Sequence, residues 1–228
     1  MLPYSFIPDV LTEDLRPQAA ALLGHPLWRA VQSGTATRAH LRTFALQDAW
    51  LVGHSRQLEA LLLAHAPDER ARAALLGKWT AKQNFSAPED PGHLLHFGRA
   101  FGLTEAEFAA AEPLPGCAAL TMNFYYALAH DGFLGLLASV AASESVFIAI
   151  CDLAGPALVR EYGLTPEQVA FFPLHDGLKA GVDGGEAALL RELALTPQAR
   201  ETVTRTVRRT YACEKLFYDT VYAVTGPE

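Results

Sequence analysis

The sequence predicts an all-α fold, and three observations carry that expectation. Apolar residues recur at helical spacing through most of the chain, and no run alternates convincingly in the manner of a strand. The third is GFLGLLASVAASESVFIAIC, at 132–151, in which Glu144 is the only charge. Leu137, Val140, Ala141, Phe147, Ile148 and Cys151 share its helical face, so Glu144 is expected to be buried and to meet a polar partner or ligand inside the fold. With 228 residues and 50% hydrophobic composition, the chain can bury a substantial core, most simply as one domain over 1–228.

The elements follow from punctuation and periodicity. A helix over Thr12–Leu23 stops at Gly24, and a short one from Pro26 stops at Ser33-Gly34. Thr37 opens a long helix to about His65, and Pro67 starts another that reaches about Gln83. SAPEDPG at 86–92 breaks the pattern with two prolines and a glycine. Helices over His93–Phe101 and Thr104–Ala111 precede PLPG at 113–116, which leads into a helix through Ala129. The Glu144 helix comes next, ending near Gly155 or bending at Pro156 to reach Tyr162. Thr165–Phe172 is expected to be helical, then HDGLKAGVDGGE forms a polar stretch. Two last helices are expected near Glu186–Leu195 and Pro197–Val224.

A net charge of -7, with Lys and Arg scattered apart from short runs such as Arg205–Arg209, excludes a nucleic-acid partner. Cys117, Cys151 and Cys213 form neither a disulfide framework nor a zinc pattern, in keeping with a reducing compartment. The N-terminal MLPYSFIPDVLTEDL lacks a basic segment followed by an apolar one, so a cytoplasmic protein is expected. No membrane partner is expected either. Half of the run around Glu144 is glycine, alanine and serine, and a mid-span carboxylate is costly in lipid.

Two further helices repeat the pattern of one acid on an apolar face. Asp48 shares a stripe with Leu41, Phe44, Ala45, Leu51, Val52, Ser55 and Leu62, and Glu214 is flanked by Val207, Tyr211, Phe217, Tyr218 and Val221. Convergence of Asp48, Glu144 and Glu214 on one cavity would raise their pKa values mutually and set a proton donor beside an acceptor. Trp50, Tyr125, Tyr126, Tyr211 and Tyr218 could stack on a flat small-molecule ligand.

HPLWRAVQSGTATRAHLRTFALQDAWLV at 25–52, EPLPGCAAL at 112–120, GFLGLLASVAASE at 132–144 and TYACEKLFYDTVY at 210–222 together resemble the TenA family. The resemblance implies the haem-oxygenase-like fold, a helical bundle with a central ligand cavity, and a homodimer or homotetramer. It also implies hydrolysis of an aminopyrimidine in thiamin salvage, with no cofactor. Asp48 would hold the ring, with Trp50, Tyr126 and Tyr211 beside it, and Glu214 would act as acid and base. The expected cysteine nucleophile is replaced by Ser143, so Glu144 with Glu214 would do comparable work.

Two related groups imply other chemistry. PGHLLHFGRAFGL at 91–103 and EQVAFFPLHDGL at 167–178 resemble diiron oxidases, which bind iron or manganese through three histidines and three carboxylates. His93, Glu144 and His175 match that set. Ser86, Lys179 and Val182 stand at the other three positions and cannot replace a carboxylate or imidazole ligand. Lys179 would instead pair with Glu144 beside the substrate. Pyrroloquinoline-quinone synthase is a third relation, but the chain lacks a dense basic pocket. The expectation is thus a metal-independent TenA-type enzyme using Asp48, Glu144 and Glu214. An oxidase with a degraded metal site and a non-catalytic binding or regulatory protein are the alternatives.

Overall fold

The computed structural model describes residues 15–84, 92–175 and 185–224, and its regular elements are helices. In chain order they are α1 (Leu15–Leu23), α2 (Pro26–Gln32), α3 (Arg38–Ala64), α4 (Glu69–Asn84) and α5 (His93–Ala100). There follow α6 (Glu105–Ala109), α7 (Pro115–Tyr162), α8 (Phe171–Leu174), α9 (Ala187–Leu193) and α10 (Pro197–Tyr222). The expected boundaries agree to within a few residues, with one correction. Only turns occupy 166–170, where a helix over Thr165–Phe172 was expected. Thr165 and Gln168 cap one another, and Phe171 and Phe172 then turn into the core ahead of Pro173. Residues 12–14 of the first expected helix, and most of the polar stretches at 86–92 and 175–186, lie outside the described residues.

The central element is α7, which packs chiefly on α10 and also on α2 and α3. It is long and apolar enough to cross a membrane, yet 72% of its most apolar window is buried inside the domain, as a core helix requires. Gly132 breaks it into two arms with φ 68° and ψ -157°, a backbone region essentially restricted to glycine. A buried polar network fixes the angle between the arms. Asn123 on the first arm donates to Ser139 on the second, at 3.1 Å, and to Thr210 on α10, at 3.0 Å. Next to the break, Arg205, Arg209 and Thr206 bind the enclosed Asp131 side chain. Burial alone would raise the Asp131 carboxyl, but these three donors outweigh it and hold it below its ordinary range.

The two signature segments near the N-terminus brace the bundle. His25 is buried, its Nδ1 accepts the Leu27 amide at the start of α2, and its Nε2 therefore donates to Asp219 of α10 at 3.0 Å. Gln47 on α3 donates to the Glu112 carbonyl and accepts from the Leu114 amide, clamping the loop that begins α7. Arg38 and Arg42 bond the Phe101 carbonyl at the end of α5, and Phe97 packs edge-on against Phe44. Helix α5 therefore runs antiparallel to α3. Where α7 and α10 pass closest, a Cβ added to Gly116 would lie 2.3 Å from the Leu216 carbonyl oxygen, so this crossing requires glycine.

Replacing Gly132 by alanine should cost about 1–3 kcal/mol, because it forces a side chain into a glycine-only region. Urea unfolding would measure it; an unchanged midpoint would mean that the break is not fixed by backbone conformation.

Candidate functional site

Helices α3, α5, α7, α8 and α10 enclose a cavity of about 270 Å³. Its wall is mostly apolar, with Leu51, Leu120, Phe124, Phe147, Phe171 and Phe217 among the lining residues. Into it project Asp48 and Arg56 from α3, Ser143 and Glu144 from α7, and Glu214 and Tyr218 from α10. His93, at the first turn of α5, and His175, just after α8, also line it. The three acids singled out by helical spacing therefore face one cavity.

Their environments differ. Asp48 is 3% exposed and Glu214 1% exposed, whereas Glu144 is half-buried. The expectation of a buried Glu144 is corrected in degree: it is half-buried on the wall of the cavity, where a ligand or polar partner was expected. Burial pushes the Asp48 carboxyl up to about 7. Glu214 rises to about 8, chiefly through burial; hydrogen bonds from Tyr218 and Ser143 draw it back, and the Asp48 charge adds a smaller upward push. The sequence suggested that neighbouring acids would raise one another; burial by the apolar surroundings is the larger cause, and for Asp48 the one cause.

Each buried acid also keeps an oxygen for a ligand. The Tyr218 hydroxyl donates to Glu214 Oε1 at 2.6 Å, while Glu214 Oε2 and Asp48 Oδ2 have no hydrogen-bond partner among the described residues. Buried polar atoms almost always find partners, so these two mark where a polar group of a ligand or a water belongs. Tyr218 is held edge-on by Trp28, ring centroids 5.2 Å apart, and tilted against His25. Cys117 does not supply a nucleophile: burial and then the charge of Asp48 push its thiol up to about 12.

The expected aromatic contacts fall elsewhere. Trp50 lies tilted against His54 with centroids 4.5 Å apart, and Tyr126 lies 48% exposed beneath Arg209. Each is two residues from a lining residue, Asp48 or Phe124, which turns it to the far side of its helix. Tyr211 is buried behind Glu214, its hydroxyl without a partner, and does not line the cavity. Lys179 lies outside the described residues. Periodicity missed Arg56, although positions seven and eight beyond Asp48 on α3 share its face. Spacing placed Phe147 on the Glu144 face and Phe217 beside Glu214, whereas Phe171 offered no signal beyond hydrophobicity.

The donor set does not fit a dimetal centre. His93, Glu144 and His175 line the cavity, but among the described residues no three His, Cys, Asp or Glu side chains are grouped so as to hold a metal ion. The other three positions, 86, 179 and 182, lie outside the described residues and carry serine, lysine and valine.

The family model for the TENA/THI-4/PQQC family matches residues 12–156. A protein of Nitrosomonas europaea named 4-aminobenzoate synthase is 26% identical over 210 residues, covering 88% of this chain and 84% of its own length. Among solved structures, a TenA homologue from Pseudomonas syringae pv. tomato superposes with a TM-score of 0.77 at 15% identity, over 92% of this chain and 90% of that one. A haem-oxygenase-like domain of unknown function from Shewanella denitrificans gives 0.72 at 20% identity, over 92% and 89%. These likenesses show the haem-oxygenase-like fold expected from the sequence.

The raised carboxyls make a prediction about stability. In the unfolded chain they ionise near pH 4, whereas the fold keeps Glu214 protonated to about 8 and Asp48 to about 7. Between those limits the native state binds more protons, so their contribution is fully present below about pH 4 and is lost as pH rises through 7 to 8. Glu214→Gln should therefore unfold several degrees higher than the parent at pH 8.5 and almost with it at pH 5. Parallel melting curves at both pH values would contradict the burial argument.

Proposed function

The chain belongs to the TENA/THI-4/PQQC family, and from that premise we propose that it is a small-molecule enzyme that hydrolyses an aminopyrimidine or related thiamin-salvage compound through its buried carboxylates. The observation that carries this reading is the pairing of Asp48 and Glu214 in one apolar cavity, each with an unpartnered oxygen. Asp48, ionised, accepts a hydrogen bond from the protonated ring nitrogen or amine and fixes the ring against the aromatic wall. Glu214, held by Tyr218 and Ser143, takes a proton from water as the water oxygen bonds to the amine-bearing ring carbon. It then returns that proton to the amine, the carbon–nitrogen bond breaks and ammonia leaves, while the added hydroxyl gives its proton to the freed Glu214 carboxylate as the ring carbonyl forms. Glu144, next to Ser143 on the cavity wall, helps to hold the water and balances charge. No step calls on a metal ion.

The likeness to the Nitrosomonas protein favours a second reading, an oxidase of the same fold acting on an aromatic substrate. That reading requires iron or manganese, for which the chain offers His93, Glu144 and His175 but not the remaining ligand types. A third, a binding or regulatory protein, would keep the cavity without turnover.

Ammonia release from 4-amino-2-methylpyrimidines, followed with protein dialysed against chelator, separates the readings. The hydrolase should keep its activity after dialysis, lose about 10²–10⁴-fold in Glu214→Gln and lose ligand-induced thermal stabilisation in Asp48→Asn. Stoichiometric iron or manganese that disappears in Glu144→Ala would replace it with the oxidase, and tight binding without ammonia release would favour the binding protein.

A further inference from the structure

Tyr218 lines the cavity beside Glu214 and is hydrogen-bonded to it. The 2.6 Å bond to Glu214 Oε1 is the one hydrogen bond of that hydroxyl among the described residues, so its proton is engaged while the oxygen's lone pairs remain able to accept. Packing fixes where the hydroxyl stands. Trp28 meets the ring edge-on at 5.2 Å, Phe217 and His25 lie tilted against it at 5.5 and 5.6 Å, and the residue is 1% exposed.

Hydrolysis of an amine needs protons at two places on one carbon, because the entering water loses one and the departing nitrogen gains one. Glu214 Oε2, enclosed and without a partner among the described residues, suits the first task. The second position is reached most directly through the group on its other oxygen, which is Tyr218. Burial, then the charges of Glu214 and Asp48, hold the Tyr218 phenol well above its ordinary range, so a tyrosinate formed there must be reprotonated at once. Glu214, at about 8, is the stronger acid of the two and makes that transfer downhill. Ser143, the other hydroxyl that bonds Glu214, is an alcohol and gives up a proton far less readily than a phenol.

We propose that Tyr218 is a catalytic residue, the one that protonates the leaving amine, and that Glu214 restores its proton. The inference rests on the aminopyrimidine reading and supplies the route by which the proton taken from water is returned. Water oxygen bonds to the amine-bearing ring carbon as one water proton passes to Glu214 Oε2. Rotation of the carboxyl about its last bond carries that proton to the tyrosine oxygen. The Tyr218 proton then moves to the amine nitrogen, the Glu214 proton replaces it, and the carbon–nitrogen bond breaks with its electron pair leaving on ammonia. Glu214 is thereby the carboxylate that takes the remaining hydroxyl proton as the ring carbonyl forms.

A leaving group that needs no proton separates this role from mere support of Glu214. Tyr218→Phe keeps the packed ring and removes the hydroxyl. Its turnover of 4-amino-2-methylpyrimidine should fall about 10²-fold, while that of 4-chloro-2-methylpyrimidine, whose chloride departs as an anion, should stay within about 3-fold of the parent's. Ser143→Ala should lower both rates alike. Equal losses on the two substrates in Tyr218→Phe, no loss on either, or a selective loss in Ser143→Ala overturns the inference, while ammonia release by the parent keeps the aminopyrimidine reading. A parent that releases no ammonia overturns both. A second measurement needs neither a variant nor the chloro substrate. Ammonia release by the parent in mixtures of light and heavy water should follow a curve against deuterium fraction, because more than one proton moves between Glu214, Tyr218 and the amine; a straight line overturns the relay.

Discussion

A carboxyl group enclosed by apolar side chains must keep its proton, find a cation or destabilise the fold, and this bundle buries Asp48, Glu59 and Glu214 beside one cavity. Much of the surrounding structure follows from that constraint. Glu214 receives the Tyr218 hydroxyl on one oxygen and help from Ser143, which lowers the cost of burial without removing it. Tyr218 can do this only because Trp28 and His25 hold its ring, and His25 is fixed in turn by the Leu27 amide and by Asp219. A line of support thus runs from the proton-transfer pair to the N-terminal helices. On Asp48 and Glu214 the fold retains two oxygens that nothing among the described residues satisfies, a stability cost that makes sense only if something else satisfies them.

That view changes the meaning of the signature segments. His25-Pro26 and Gln47-Asp48 read alike in the sequence, as polar residues in family patterns. In the fold, His25 caps α2 and ties it to α10, and Gln47 clamps the entry to α7. Only Asp48 faces the cavity. Neighbours one residue apart on a helix point about 100° away from each other, so a bracket and a ligand-binding group can share a motif.

The helices, and the placing of Asp48, Glu144 and Glu214 on inward faces, were legible in the sequence because both depend on spacing along single helices; that the three meet at one cavity was not. A lone acid on an apolar stripe faces inward whatever the neighbours are. What spacing does not contain is the depth at which each stripe meets the next, which depends on helix crossing and register. Glu144 accordingly is half-buried where full burial was expected, and Tyr211 does not line the cavity it was expected to share. Trp50 and Tyr126 illustrate a different limit. Aromatic character suggested ligand stacking, but two residues along a helix is the wrong side of it, and both settle against polar partners outside the cavity. The turn at 166–170 escaped notice because local propensity favoured a helix while Phe171 and Phe172 were drawn into the core.

The acidity of the site is itself a tertiary property. Asp48 has burial as the cause of its shift, and burial is the largest cause for Glu214, so the groups that set their proton affinity are the apolar side chains around them. Phe147 comes from α7, Phe171 from α8 and Phe217 from α10, and no single helix could provide that enclosure. A carboxylate chemistry near neutral pH therefore does not require unusual catalytic side chains. It requires ordinary acids, hydroxyls such as Tyr218 of α10 and Ser143 of α7 to hold Glu214, and aromatic residues brought together from distant parts of the chain. Around Asp48 and Glu214 the apolar wall favours the protonated form, so burial alone brings ordinary carboxyls toward neutrality.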